Sequence, residues 1–172
     1  IGLPSPNEQV RMVTKRAFNS IALLDLIMDS DRILETYICV YSIDYSSGLI
    51  INKLATDGAL GKVTFLISNL RNTAHRQKEK TVNELFAKNP NIRLVFAGSH
   101  AKIICARTAG GGYYVCETSA NFANNSRIEQ YMFENCRITY EFHKQWIDEI
   151  YKIATKKELT IIDYDGTESI TR

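Results

Sequence analysis

A chain of 172 residues is long enough to bury its own core and short enough to be read as one domain, residues 1–172. With 45% hydrophobic and 23% charged residues it reads as an ordinary soluble globular protein, and no run is long and apolar enough to span a bilayer. The formal net charge of +2 is too small to announce a nucleic-acid partner, so any basic argument must be local.

After a proline-containing lead-in, the stretch from Asn7 to about Asp29 carries Val10, Val13, Ala17, Ile21, Leu24 and Met28 at helical spacing, with Asn7 as N-cap. Thr36 to Ile43 is β-branched and aromatic and reads as a strand. Ser46 and Ser47 open a helix that runs through Leu54 and stops near Asp57-Gly58. Lys62 to Ser68 is the second strand. A polar stretch from Asn69 to Lys80 then leads into a helix around Val82 to Ala87, closed by Asn89-Pro90. Ile92 to Phe96 and Ala101 to Ala106 are the third and fourth strands, and Gly110 to Gly112 marks a turn. Tyr113 to Glu117 and Gln130 to Cys136 are the fifth and sixth. A last helix, Phe142 to Ile153, places Phe142, Trp146, Ile150 and Ile153 on one face, with His143 on its surface. A short strand at Leu159 to Asp163 closes the sheet or hangs on an edge.

Strands alternating with helices predict parallel pairing in the first half, and the glycine turn predicts an antiparallel hairpin in the second. The expected fold class is α/β, with a mixed, mostly parallel sheet flanked by helices on both faces. Cys39, Cys105, Cys116 and Cys136 sit in apolar runs without a C-x-x-C pair, so they read as buried free thiols; a bridge between Cys105 and Cys116, which flank one hairpin, stays open. The first six residues show no charged region followed by an apolar core, so no signal peptide is read there and a reducing, cytoplasmic setting is expected.

The chemistry concentrates in Gly98-Ser99-His100-Ala101-Lys102 and in Thr118-Ser119-Ala120-Asn121, with Glu129 beyond. Residues two apart at the mouth of a strand project from the same side, so His100 stands beside the fixed charge of Lys102. Phosphodiester cleavage needs a nucleophile, donors for the phosphoryl oxygens and a proton for the leaving alcohol. His100 can serve as nucleophile or acid, Lys102, Ser119 and Asn121 as donors, and Glu129 can fix the imidazole tautomer.

These segments resemble the phospholipase D superfamily, whose signature is H-x-K, four residues, Asp, then a G-S-x-N-like segment and a downstream acidic residue. The resemblance implies that His100 forms a covalent phosphohistidine and that Lys102, Ser119 and Asn121 bind phosphate. It also implies that Glu129 orients the histidine, and that neither metal nor cofactor is needed. Arg107 stands where the pattern has Asp, Thr118 replaces the Gly, and Glu134 is a second candidate for the acidic role.

Only one H-x-K occurs, and the mechanism uses two histidines, so a homodimer with both His100 side chains at one interface is expected. Single-motif members of the family are often nucleases, which makes DNA the expected substrate and no membrane partner is expected. Arg71 and Arg76, in the basic run from Arg71 to Lys80, and Arg107 are candidate nucleic-acid contacts. A catalytically weakened nucleic-acid-binding module and a phospholipid hydrolase are the alternatives.

Overall fold

Side chains that alternate between two apolar surroundings build the centre of this fold. The computed structural model describes residues 2–15, 19–68, 81–123, 128–156, 160–162 and 168–170. The strands are β1 (Gln9–Thr14), β2 (Ile33–Val40), β3 (Lys62–Ser68), β4 (Ile92–Ala97), β5 (Ile103–Thr108), β6 (Tyr113–Thr118), β7 (Glu129–Asn135), β8 (Thr160–Ile162) and β9 (Glu168–Ile170). The helices are α1 (Ile21–Met28), α2 (Tyr45–Thr56), α3 (81–87) and α4 (Arg137–Lys156).

Along β2, Ile38 and Val40 face one side of the sheet while Tyr37 and Cys39 face the other, all fully buried. The same division separates Phe65 and Ile67 from Leu66, and Ile104 and Ala106 from Ile103 and Cys105. On the first face lie Leu24 and Ile27 of α1, Ile51 of α2, and Val82 and Phe86 of α3; on the second lie Tyr140 and Ile147 of α4. Each large side chain that leaves water this way stabilises the fold by about 1.5–3 kcal/mol. Helices therefore cover both faces, as expected.

The sheet order is β1-β7-β6-β5-β2-β3-β4. Pairing is parallel for β2–β3 and β3–β4 and antiparallel for the other four neighbours. Followed across the sheet, these pairings make β1, β2, β3, β4 and β6 run one way and β5 and β7 the other. The sheet is mixed, and most of its strands share a direction even where their neighbours oppose them. The carboxyl ends of those five strands and the amino ends of β5 and β7 thus share one edge. Among the described residues, strands β8 and β9 pair with each other as an antiparallel two-stranded sheet rather than joining the larger one.

Local chemistry sets the boundaries. Asp44 caps α2, its carboxylate accepting from Ser47 N at 2.7 Å. At Gly61, φ is +61°, and a Cβ would lie 2.2 Å from the Leu34 carbonyl, so only glycine fits the turn into β3. Among the described residues no helix is long and apolar enough to cross a membrane.

Two expectations are corrected, and the question left open for the cysteines is decided. The long first helix is a strand followed by a shorter helix. Gln9, Arg11 and Val13 are exposed while Val10, Met12 and Thr14 are partly covered, a period of two. Val10 and Val13, three apart, mimic helical spacing and in fact face opposite sides. Asn7, with φ +65°, is a turn residue; Ser20 is the N-cap of α1, and Asn19 before it accepts from Ile21 N. The last helix starts at Arg137, and its buried face is Tyr140, His143 and Ile147, while Phe142 and Ile153 are exposed. Cys105 and Cys116 sit on opposite faces of the sheet and are free thiols.

Polar groups fasten α4 to the sheet. Lys144 Nζ donates to Asp148 (2.6 Å) and Tyr37 Oη (2.7 Å), Arg93 Nη2 donates to Asp148 (2.8 Å) and Thr64 (2.6 Å), and Tyr140 Oη donates to Glu35 (2.9 Å). Burial works against the Lys144 charge, yet the bonds to Asp148 and Tyr37 outweigh it and hold its pKa above the usual lysine value.

Candidate active site

Strand direction explains why residues far apart in the chain meet. His100 and Lys102 lie between the end of β4 and the start of β5, Ser119 and Asn121 follow β6, and Glu129 opens β7. All five stand on the edge to which the carboxyl ends of β2, β3, β4 and β6 point. Backbone bonds join the pieces. Thr118 N donates to Lys102 O (3.0 Å), Ser119 N to Gln130 O (3.1 Å), and Phe122 N to Ser42 O (3.1 Å).

Tyr41 and Ser42, which follow β2, connect the two halves of the site. The Tyr41 ring stacks on the His100 imidazole, centroids 4.5 Å apart, and Lys102 Nζ stands 5.6 Å from the centre of the same ring. Ser42 N donates to Asn121 Oδ1 at 3.0 Å, which commits the amide oxygen to the scaffold and leaves the amide NH2 as Asn121's donor. Sequence reading missed both residues; neither has a local signal, since their partners are 59 and 79 positions away.

His100 is exposed and Lys102 half-buried, its Nζ donating to the His100 carbonyl at 2.7 Å. The Ser119 hydroxyl donates to Glu129 Oε2 and accepts from Gln130 N at 3.1 Å. Beneath the His100 loop, Cys39 Sγ lies 3.5 Å from Ser99 Oγ. Burial pushes the Cys39 thiol up, against the opposing pull of Ser99 and Lys102, so it stays protonated.

The second acidic candidate is displaced. Glu134 is buried at the other end of β7, about 16 Å along the strand from Glu129. Arg107 is likewise at the far end of β5, beside the glycine hairpin, where its Nε lies 3.7 Å from Glu35. Arg71 and Arg76 lie outside the described residues. Among the described residues, no group of three or more His, Cys, Asp or Glu is arranged to hold a metal ion.

A further cluster borders the site. His143, expected at the surface, is buried. Trp146 Nε1 donates to its Nδ1 at 3.0 Å, which places the ring proton on Nε2, and Nε2 donates to Glu117 Oε1 at 2.8 Å. Glu117 directly precedes Thr118 and Ser119.

Two solved structures share this architecture. A phospholipase D family member, Nuc from Salmonella typhimurium, matches with a TM-score of 0.61 and 15% identity, over 95% of this chain and 100% of its own. Polyphosphate kinase from Porphyromonas gingivalis matches with a TM-score of 0.60 and 13% identity, over 90% of this chain but 27% of the kinase. No protein-family model and no curated protein matches the sequence. The chain thus has the fold of a phospholipase D family member.

Proposed function

We propose that this protein is a phosphodiesterase of the phospholipase D type, acting as a metal-independent nuclease in a homodimer. The observation that carries the reading is the convergence of His100, Lys102, Ser119, Asn121 and Glu129 on one sheet edge of that fold.

In this reading the His100 imidazole attacks phosphorus while the bond to the leaving oxygen breaks. That oxygen takes a proton from the partner subunit's His100. Lys102, the Asn121 amide and the Ser119 hydroxyl donate to the phosphoryl oxygens, where charge accumulates. Ser119 turns from Glu129 to the phosphate, and the released carboxylate accepts from the imidazole N–H. Water then attacks the phosphohistidine, the partner's imidazole takes its proton, and the P–N bond breaks.

The test is cleavage of a small aryl phosphodiester and of labelled single- and double-stranded DNA in the presence of chelator, with light scattering to count subunits. Cleavage persists in chelator and falls by about 10³-fold or more in His100→Ala. Absence of cleavage of every diester by the intact protein sinks the reading, and a monomer with full activity sinks the shared site.

A further inference from the structure

The sheet extends past α4, which packs on β4, β5 and β6. Beyond it, β7 and β1 leave a groove of about 500 Å³ that reaches Ser119 and is lined by Arg11, Val13, Glu117, Gln130 and Met132, among others. The register orders these side chains. Arg11, Met132 and Glu117 are directly paired across β1, β7 and β6, and Val13 and Gln130 pair in the next row toward the site. Directly paired residues share a face, and Glu117 marks it as the face of α4 through its bond to His143.

We propose that this groove holds the nucleotide next to the scissile phosphate of a single-stranded polynucleotide, an assignment that rests on the phosphodiesterase reading. The rows supply what a nucleotide requires. Val13, 65% exposed, and Met132 form an apolar floor for a base. The Gln130 amide and the Glu117 carboxylate flank that floor and match the donors and acceptors of a base edge. Arg11 stands about 12 Å from Ser119 by strand spacing and rise, placed for the following phosphate.

Glu117 alone would repel a phosphate. With His143 donating to one of its oxygens, it acts as an oriented acceptor for a base amino group. The floor, two inter-strand spacings wide, measures about 10 Å, less than the roughly 12 Å of the major groove alone. A single strand fits this width and a duplex does not.

The test uses His100→Ala protein, which keeps the probe intact, and the fluorescence anisotropy of labelled hexamers of dC and dT and of a duplex of the same length. The single strand binds more tightly than the duplex. Adding Arg11→Ala weakens that binding by about tenfold and lowers the salt slope by about one. Arg137→Ala, a cation at the opposite end of the sheet, leaves binding unchanged. Glu117→Gln removes a preference for dC over dT, and thermal unfolding verifies that each variant folds. Tighter duplex binding, no effect of Arg11→Ala, or a base preference that Glu117→Gln does not alter overturns the assignment. If the unsubstituted protein cleaves the small diester while the groove variants bind normally, the groove falls and the enzyme reading stands; if it does not cleave, both fall.

Discussion

The imidazole of His100 lies nearly parallel to the ring of Tyr41, with centroids 4.5 Å and planes 24° apart. The same tyrosine ring has Lys102 Nζ 5.6 Å from its centroid, so one side chain at the end of β2 props both members of the H-x-K pair. Such a stack is worth about 0.5–1.5 kcal/mol. Tyr41→Ala therefore lowers kcat on a small diester by about 3- to 10-fold, and Tyr41→Phe recovers most of it. Steady-state kinetics decide, and an alanine variant as fast as the parent refutes the role.

In the proposed mechanism Asn121 divides scaffold from chemistry within one side chain, its oxygen holding Ser42 N and its NH2 facing the phosphate. Asn121→Asp keeps an acceptor for Ser42 N but removes the donor and adds a charge at the phosphate. Activity falls by about 100-fold or more while the melting temperature stays near that of the parent protein. Asn121→Ala also loses the bond to Ser42 and costs about 1 kcal/mol of stability. A comparison of turnover and thermal unfolding for the two variants separates these effects; an active Asp variant contradicts them.

The α4 fastening makes stability fall in acid. Burial alone raises the Asp148 carboxyl, but Lys144 and Arg93 outweigh it and hold its pKa below the ordinary 3.8. The fold favours the ionised form, so its stabilisation is complete above the unfolded value and disappears as pH drops through the lower folded value. Above pH about 5, Asp148→Asn costs about 1–3 kcal/mol, and the gap closes toward pH about 2. Denaturant titrations of both proteins across that range measure it, and a gap that does not change with pH is the contrary result.

Placing at position 107 the Asp of the phospholipase D pattern does harm. Arg107 sits 3.7 Å from Glu35, whose other bonds come from Tyr37 and Tyr140. Arg107→Asp places a second carboxylate there and destabilises the fold by about 1 kcal/mol. The expected readout is a lower denaturation midpoint. A more stable or faster variant shows that the departure from the pattern is a defect.

Signals that are local in the chain were legible in the sequence. Lys62–Ser68 was placed correctly because a buried parallel strand is a nearly continuous run of apolar and β-branched residues, here Val63 to Ile67. His100, Lys102, Ser119 and Asn121 are candidates because two-residue spacing at strand ends is visible without a fold, and strand order then brings them to one sheet edge. β1 was missed because an edge strand buries only half its residues, and valines three apart suit either period. His143 was misread because a polar residue enters the core only where partners satisfy it, and Glu117 lies 26 positions away. Tyr41 and Ser42 become part of the site through strand order alone, which no local pattern carries.

The bond between Ser42 and Asn121 spans 79 positions, and the backbone bridge from Ile43 to Phe122 closes the same loop. Bringing such distant segments together carries a large loop-closure cost before any contact rewards it. No fragment that stops short of β6 holds the complete candidate site, however much helix it forms. In refolding from denaturant, enzymatic turnover is therefore a late signal, returning with the pairing of β5, β6 and β7 after the helical signal has recovered.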